Sequence, residues 1–339
     1  MPEEQYPDYI QALLDPAAYP HPVDAVELVQ THISFVLLAG EFVYKFKKPV
    51  DFGFLDFSTL DKRKACCEQE LILNRRLSPD IYLGLVRVTA EADNLALDGG
   101  GEVVEYGVKM VRMPEERMMS RIIGRGELNH GHIESLVRIL VPFYERAERS
   151  AEIDRYGTAE SVAVNVLENF DQTRDFIGNG ALSREQFDSI SAYARSFLAR
   201  DELFAARIAA GRIRDCHGDL YSANICLADK VYIYDCIEFN RRFRYCDVAS
   251  DVAFLAMDLD FHGLEELAAL FIDLFVKASG DDSLMDMLNF YTCYRAYVRG
   301  KIGLFTAADP AVDEQAKAAH LDMARRYFSL AQQYARRGD

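Results

Sequence analysis

The chain has 339 residues, half of them hydrophobic, and a formal net charge of -16. That length fills more than one core comfortably, and so acidic a balance is repelled by nucleic acid and by anionic membrane, so neither is an expected partner. No uncharged apolar run reaches the roughly 18 residues of a membrane span; with a polar, acidic Met1 to Asp15 that lacks a signal core, the expected location is cytoplasmic.

In chain order, the strand-like runs come first. Val26 to Ile33, Phe35 to Ala39 and Phe42 to Lys48 alternate with period two, and Gly40-Glu41 is a hairpin link between the last two. Helical spacing begins near Ser58, a candidate N-cap, and runs to Leu77, where Ser78-Pro79 stops it. Leu85 to Leu97 and Val103 to Arg112 read as a further hairpin. Their link, Asp98-Gly99-Gly100-Gly101, is a turn and not a phosphate cradle, because a strand follows it.

After Pro114 amphipathic helical segments dominate: His132 to Arg149, Ala159 to Ile177, Arg184 to Ala209, Asp247 to Phe261, Leu264 to Ala278, Leu284 to Leu304 and Asp313 to Arg336. Only Ile225 to Leu227 and Val231 to Tyr234 read as strands there. The expected fold class is α+β: a small antiparallel-sheet lobe over residues 1–113 and a large helical lobe over residues 114–339. The seven cysteines are odd in number and form no CxxC pair, which argues against a disulfide framework or a zinc site and for buried reduced thiols.

The segment richest in chemistry is Cys216-His217-Gly218-Asp219-Leu220-Tyr221-Ser222-Ala223-Asn224-Ile225. Asp219 precedes Asn224 with the spacing of a kinase catalytic loop, and a short strand pair then ends in Tyr234-Asp235. Phosphoryl transfer needs these parts: a carboxylate that orients the attacking hydroxyl, and an amide oxygen and a second carboxylate that hold magnesium against the phosphates. Asp219 is the candidate base, Asn224 and Asp235 are the candidate Mg2+ ligands, and His217 is a candidate brace for the loop.

The same chemistry calls for a lysine on the third strand and a glutamate on the following helix. On Phe42 to Lys48, Val43, Lys45 and Lys47 share one face; Lys45 is central, with Lys47 as the alternative. The helix offers Glu68 and Glu70, and Glu70 is preferred because Leu71, Leu73 and Leu77 define a packed face beside it. Ser34, in the turn Gln30-Thr31-His32-Ile33-Ser34, is a candidate phosphate donor group, although that turn holds no glycine. No GxxxxGK[ST] motif occurs, which excludes a P-loop enzyme.

The set His217-Gly-Asp219-Leu-x-x-x-Asn224-Ile followed by Ile-Tyr-Asp235 resembles the signature of the aminoglycoside phosphotransferase and choline kinase superfamily. The chain is most similar to a subgroup of uncharacterised bacterial aminoglycoside phosphotransferase-like proteins. That likeness runs through Thr31-His32-Ile33-Ser34, Val43-Tyr44-Lys45, Lys47-Lys48-Pro49-Val50, Phe54-Leu55-Asp56-Phe57-Ser58, Leu73-Asn74-Arg75-Arg76-Leu77, Ile237-Glu238-Phe239-Asn240 and Tyr294-Arg295-Ala296. The resemblance implies a bilobal protein-kinase-like fold, ATP or GTP as donor, and a linker near Met110 to Met113 that meets the base, with Val111 and Met113 as contacts. Some members carry an additional C-terminal P-loop domain, and the chain to Asp339 is expected to lack one. Members phosphorylate aminoglycosides, choline, homoserine and sugars, so the acceptor stays open.

Glu238 and Asn240 follow the strand end and are placed to face metal, acceptor or neither. Asp247 and Asp251 read as helix N-terminal stabilisers that brace the catalytic loop. Arg295 and Arg299 lie one turn apart, suited to an anionic acceptor or to the acidic surface. The leading expectation is therefore a Mg2+-dependent kinase for a small-molecule hydroxyl, with no obligate protein partner. The alternatives are a nucleotide-binding sensor or scaffold without turnover, and a protein kinase. The last lacks an activation segment, because a helical pattern begins within a dozen residues of Asp235.

Overall fold

The alternating pattern after Val26 folds into sheet in the computed structural model, which describes residues 6–91, 94–310 and 312–338. A short helix α1 (Asp8–Leu13) precedes β1 (Val26–Gln30), β2 (Ser34–Ala39) and β3 (Phe42–Lys47), which pair as an antiparallel meander. Gly40 turns the chain between β2 and β3 at φ +59°; a Cβ there would lie 2.7 Å from the Pro22 carbonyl oxygen, so both conformation and space call for glycine. Helix α2 (Leu60–Asn74) follows, then β4 (Tyr82–Glu91), β5 (Asn94–Leu97) and β6 (Glu102–Val111). The strand order is β1-β2-β3-β6-β4-β5.

Period two divides β3 between two cores. Tyr44 and Phe46 pack with Phe35, Leu37, Ile10 and Leu13 beneath α1. Val43 packs on the other face with Cys67, Leu71, Tyr82, Val108 and Met110 beside α2.

The rest of the chain supplies α3 (Met119–Gly124), α4 (His130–Arg146), α5 (Ala151–Asp154), α6 (Ala159–Thr173), α7 (Arg184–Leu198) and α8 (Asp201–Ala209). Then come β7 (Ile213–Asp215), β8 (Ile225–Leu227), β9 (Val231–Ile233), α9 (Arg241–Arg244), β10 (Tyr245–Asp247), α10 (Val248–Phe261), α11 (Glu265–Ser279), α12 (Leu284–Ala308) and α13 (Glu314–Gly338). Two units result. The first comprises the residues up to Met118 together with Cys226–Arg241; the second comprises Met119–Ile225 and the residues from Arg242 onward.

Several expectations need correction. The α2 cap is Thr59, whose hydroxyl accepts from the Lys62 N–H; Ser58 instead donates its own N–H and hydroxyl to Asp56. The run Leu85 to Leu97 is not one strand: β4 and β5 pair antiparallel from Val88↔Leu97 to Glu91↔Asn94, and residues 92–93 lie outside the described residues, as do residues 1–5. The polar Glu91 and Asn94 mark that reversal. Arg184 to Ala209 is two helices, broken at Arg200 with ψ +61°. Two three-residue strands, β7 and β10, pair antiparallel where no strand was expected. The seven cysteines carry no disulfide, and all but Cys246 are buried. Among the described residues no helix is long and apolar enough to cross a membrane.

Candidate functional site

In the first unit, β3 and α2 place Lys45 and Glu70 side by side. The Lys45 ammonium lies 2.9 Å from Glu70 Oε1 and 2.6 Å from Asp235 Oδ1. Burial alone would pull the Lys45 ammonium down, but Asp235 and Glu70 outweigh it and hold it well above the ordinary lysine range. Glu70 is wholly buried, which favours its neutral form; Lys45 and Lys47 reverse that and hold its carboxyl below the usual range.

Both candidate lysines thus meet Glu70. Lys47 approaches Glu70 Oε2 at 2.6 Å and also pairs with Glu238 Oε1. Lys47 is buried away from solvent, whereas Lys45 lines a cavity of about 490 Å³. Glu68 lies exposed on the other side of α2, 3.8 Å from Lys64. Glu238 therefore engages a lysine, and Asn240 donates its side-chain N–H to the Phe54 carbonyl at 2.9 Å.

The cavity holds Lys45 and Asp235 at one end, with Val36, Val43, Tyr82 and Met118 among its walls, and reaches Val111 and Met113. The Val111 and Arg112 amides are committed to the carbonyls of Ile81 and Glu41. The Met113 N–H makes no hydrogen bond among the described residues. Apolar side chains, interrupted by the charged Glu27, Arg112 and Glu115, together with an unpaired backbone donor at Met113 and the Lys45 ammonium, suit a flat ring that carries phosphates.

Asp235 itself sits in the left-handed region at φ +60° with its side chain 43% exposed. Three side chains to which the sequence reading gave no part in the site hold its segment. Tyr82 Oη accepts the Asp235 N–H at 3.2 Å, Asn74 Oδ1 accepts the Cys236 N–H at 2.8 Å, and Ser78 donates to the Ile233 carbonyl at 2.8 Å. Ser34 is wholly buried within β2, and its hydroxyl has no hydrogen-bond partner among the described residues. The Thr31 hydroxyl occupies the neighbouring amides, accepting from Ser34 N at 2.9 Å and Ile33 N at 3.3 Å.

In the second unit the Cys216–Ile225 loop is anchored from below. Asp251 accepts the His217 N–H at 2.6 Å and the Gly218 N–H at 2.9 Å, and Asp258 accepts the Ser222 N–H at 2.9 Å. Gly218 has φ +88°. Arg295, also buried, donates to the Gly218 carbonyl at 3.0 Å and stacks over Phe254 with its guanidinium 4.8 Å from the ring centre. His217 is buried, and its Nδ1 accepts from the Asp219 N–H at 3.3 Å.

Asn224 donates to the Asp219 Oδ2 at 2.9 Å, which directs the amide N–H at the carboxylate and turns the amide oxygen elsewhere. Asp247 caps α10 through the Ala249 N–H and pairs with the buried Arg207, which also reaches Asp281 at 2.5 Å. Asp251 and Arg295 are thus committed to the loop. Arg299 lies against the rings of Tyr221 and Tyr327.

For a bound magnesium ion, the hard carboxylate oxygens of Asp235 fit the metal's preference, and this half-exposed group faces the same cavity as the Lys45 ammonium.

No protein-family model matches the chain. Uncharacterized proteins of Mycobacterium bovis and Mycobacterium tuberculosis are 34% identical over 289 residues, covering 83% of this chain. The chain spans 56% of the length of these curated relatives. Among solved structures, a choline/ethanolamine kinase family protein from Mesorhizobium loti matches at 12% identity with a TM-score of 0.51, covering 97% of this chain and 98% of its own. An amicoumacin kinase in complex with AMP-PNP, Ca2+ and its ligand matches at 14% identity with a TM-score of 0.55, covering 95% of this chain and 93% of its own. The chain therefore has the α+β, kinase-like fold of these small-molecule kinases, the fold implied by its resemblance to the aminoglycoside phosphotransferase and choline kinase superfamily.

Proposed function

We propose that this chain is a small-molecule kinase of that superfamily, transferring the γ-phosphate of ATP or GTP to a hydroxyl of a sugar, amino sugar, aminoglycoside or amino alcohol. One observation carries the reading: Lys45 is held between a buried helix glutamate and a half-exposed carboxylate at the end of an apolar-walled cavity. That is the arrangement a phosphate clamp needs, with a fixed ammonium beside a metal-ligating oxygen. The amicoumacin kinase of the same fold, with AMP-PNP and Ca2+ bound, supports a nucleoside triphosphate as donor.

In this reading the cavity takes the base and ribose, and the Met113 N–H donates to the base. Lys45 grips the phosphates, and Asp235 and Asn224 would hold the metal. Bound Mg2+ would neutralise the phosphate charge and orient the triphosphate. Asp219 accepts the hydrogen bond of the acceptor hydroxyl, aims its oxygen and takes its proton as transfer proceeds. The Asn224 amide holds the Asp219 carboxylate in orientation, and Asp251 and Arg295 hold the loop backbone that carries it.

The test is ADP release with Mg·ATP or Mg·GTP across a panel of sugars, amino sugars and amino alcohols. Acceptor-dependent release that disappears in Asp219→Asn supports the reading. Tight nucleotide binding with no release for any acceptor would point instead to a sensor without turnover.

A further inference from the structure

The pair Lys47–Glu238 does not line the cavity, yet it is joined to the groups that do. Charges alternate along one line: Asp235 to Lys45, Lys45 to Glu70, Glu70 to Lys47, Lys47 to Glu238. Glu70 gives one oxygen to each ammonium, Oε1 to Lys45 at 2.9 Å and Oε2 to Lys47 at 2.6 Å. Its carboxylate thus has an ammonium at each oxygen, Lys45 by a hydrogen bond and Lys47 by an ion pair without hydrogen-bond geometry, and these two charges oppose rotation about the soft terminal torsion of the glutamate. Lys45 and Lys47 stand two residues apart on one strand face, and Glu70 between them keeps two buried ammoniums together.

Only one carboxylate of the line is exposed to solvent. That is Asp235, 43% exposed, against 0% for Glu70 and 4% for Glu238. With Asp235 turned to a divalent cation, Lys45 would keep a single carboxylate, Glu70. If Lys47 were missing, both Glu70 oxygens would compete for Lys45 and the group would rotate. Glu238 in turn compensates Lys47, so that Lys47 is stable where it lies, with Cys66 Sγ donating to the same Glu238 oxygen at 3.4 Å.

We propose that Lys47 and Glu238 are positioning residues for the phosphate clamp: they fix Glu70 so that it holds Lys45 when Asp235 has gone to the metal. The proposal rests on the kinase reading of the cavity. It assigns a task to the second lysine and to the carboxylate three residues beyond Asp235.

The test is the double variant Lys47→Met/Glu238→Gln, which removes one buried charge of each sign and leaves no lone ion behind, unlike Lys47→Met by itself. Three measurements are made on it: the thermal midpoint, the affinity for Mg·ATP by calorimetry, and a crystal structure without nucleotide. The expected result is a near wild-type midpoint, Mg·ATP affinity weakened by about tenfold or more, and a Glu70 carboxylate turned away from Lys45. The acceptor KM should stay unchanged while the nucleotide KM rises, a split that general loosening would not produce.

A Lys45–Glu70 contact unchanged in the variant structure overturns the proposal, whatever the affinity. If the wild-type protein binds no Mg·nucleotide, the kinase reading falls instead, and the Lys45–Glu70 contact in the variant still decides the positioning claim.

Discussion

The Tyr82 hydroxyl accepts a hydrogen bond from the backbone N–H of Asp235 at 3.2 Å. Asp235 is held at φ +60°, a region non-glycine residues enter at a cost and keep only when their surroundings impose it. Tyr82 is itself almost wholly buried, and burial, reinforced by Glu70 and Asp235, keeps its phenol protonated well above the ordinary range. Tyr82→Phe keeps the ring and removes the acceptor. The expected outcome is a loss of about 1 kcal/mol in urea denaturation together with weaker Mg·nucleotide binding by calorimetry. Unchanged binding would show that the Asp235 backbone is fixed by Asn74 and Ser78 alone.

Asp219→Asn keeps the shape of the side chain and removes its basicity. Under the proposed chemistry turnover is abolished while Mg·ATP affinity stays within about twofold of wild type. Single-turnover phosphate transfer and calorimetry measure the two separately. Wild-type turnover in the variant would remove Asp219 from the role of base.

Asp235→Ala should separate metal from nucleotide. Mg·ATP should raise the thermal midpoint of the wild type through binding to the folded state, and that rise should vanish in the variant. Lys45 keeps its Glu70 partner, so ATP without metal should raise both midpoints alike. A full Mg·ATP shift in Asp235→Ala would place the metal ligand elsewhere.

Asp251→Ala tests the foundation of the Cys216–Ile225 loop. Asp251 is fully buried, accepts from two successive backbone N–H groups and from Tyr144, and lies 3.7 Å from the buried Arg295. Its removal leaves an uncompensated guanidinium and orphaned donors, a loss of about 3 kcal/mol or more. Urea denaturation reads the stability, and turnover should fall with it. A variant within about 0.5 kcal/mol of wild type would contradict this account.

Lys301 provides a pH test remote from the site. Burial, with Arg242 adding to it and Glu168 opposing, pulls its ammonium down from 10.5 to about 8. Below pH 8 the lysine is charged in both folded and unfolded chains, and the folded state bears the full penalty. Between about 8 and 10.5 the unfolded chain binds more protons, so stability from this group rises with pH. Lys301→Met should therefore raise the thermal midpoint at pH 7, with the gain shrinking toward pH 10. A gain constant across that range would mean that the effect is one of packing and not of charge.

The parts legible in the sequence are those whose signal is local. The period of β3 puts Lys45 and Lys47 on one face, and the interval between Asp219 and Asn224 marks the loop. Which lysine meets Glu70 was left open by the pattern, because one strand face offers both, and in the fold both do meet it. The supports of Asp235 were illegible for a physical reason. Tyr82, Asn74 and Ser78 act 153, 162 and 155 residues away along the chain, and no periodicity carries a hydrogen bond across such intervals. Arg207 was equally silent: its position within an amphipathic run gives no sign of the two carboxylates that bury it. The paired strands β7 and β10 are too short to show an alternation of their own.

The return of Cys226–Arg241 to the first unit has a consequence for synthesis. A ribosome releasing this chain from its N-terminus has a complete six-stranded sheet in hand by Val111. Lys47 must then wait, buried beside Cys66 with one of its two counter-ions still untranslated, until Glu238 emerges more than a hundred residues later. Nascent-chain lengths that stop short of that point should yield a loosely closed, protease-sensitive N-terminal region, and those that pass it a resistant one.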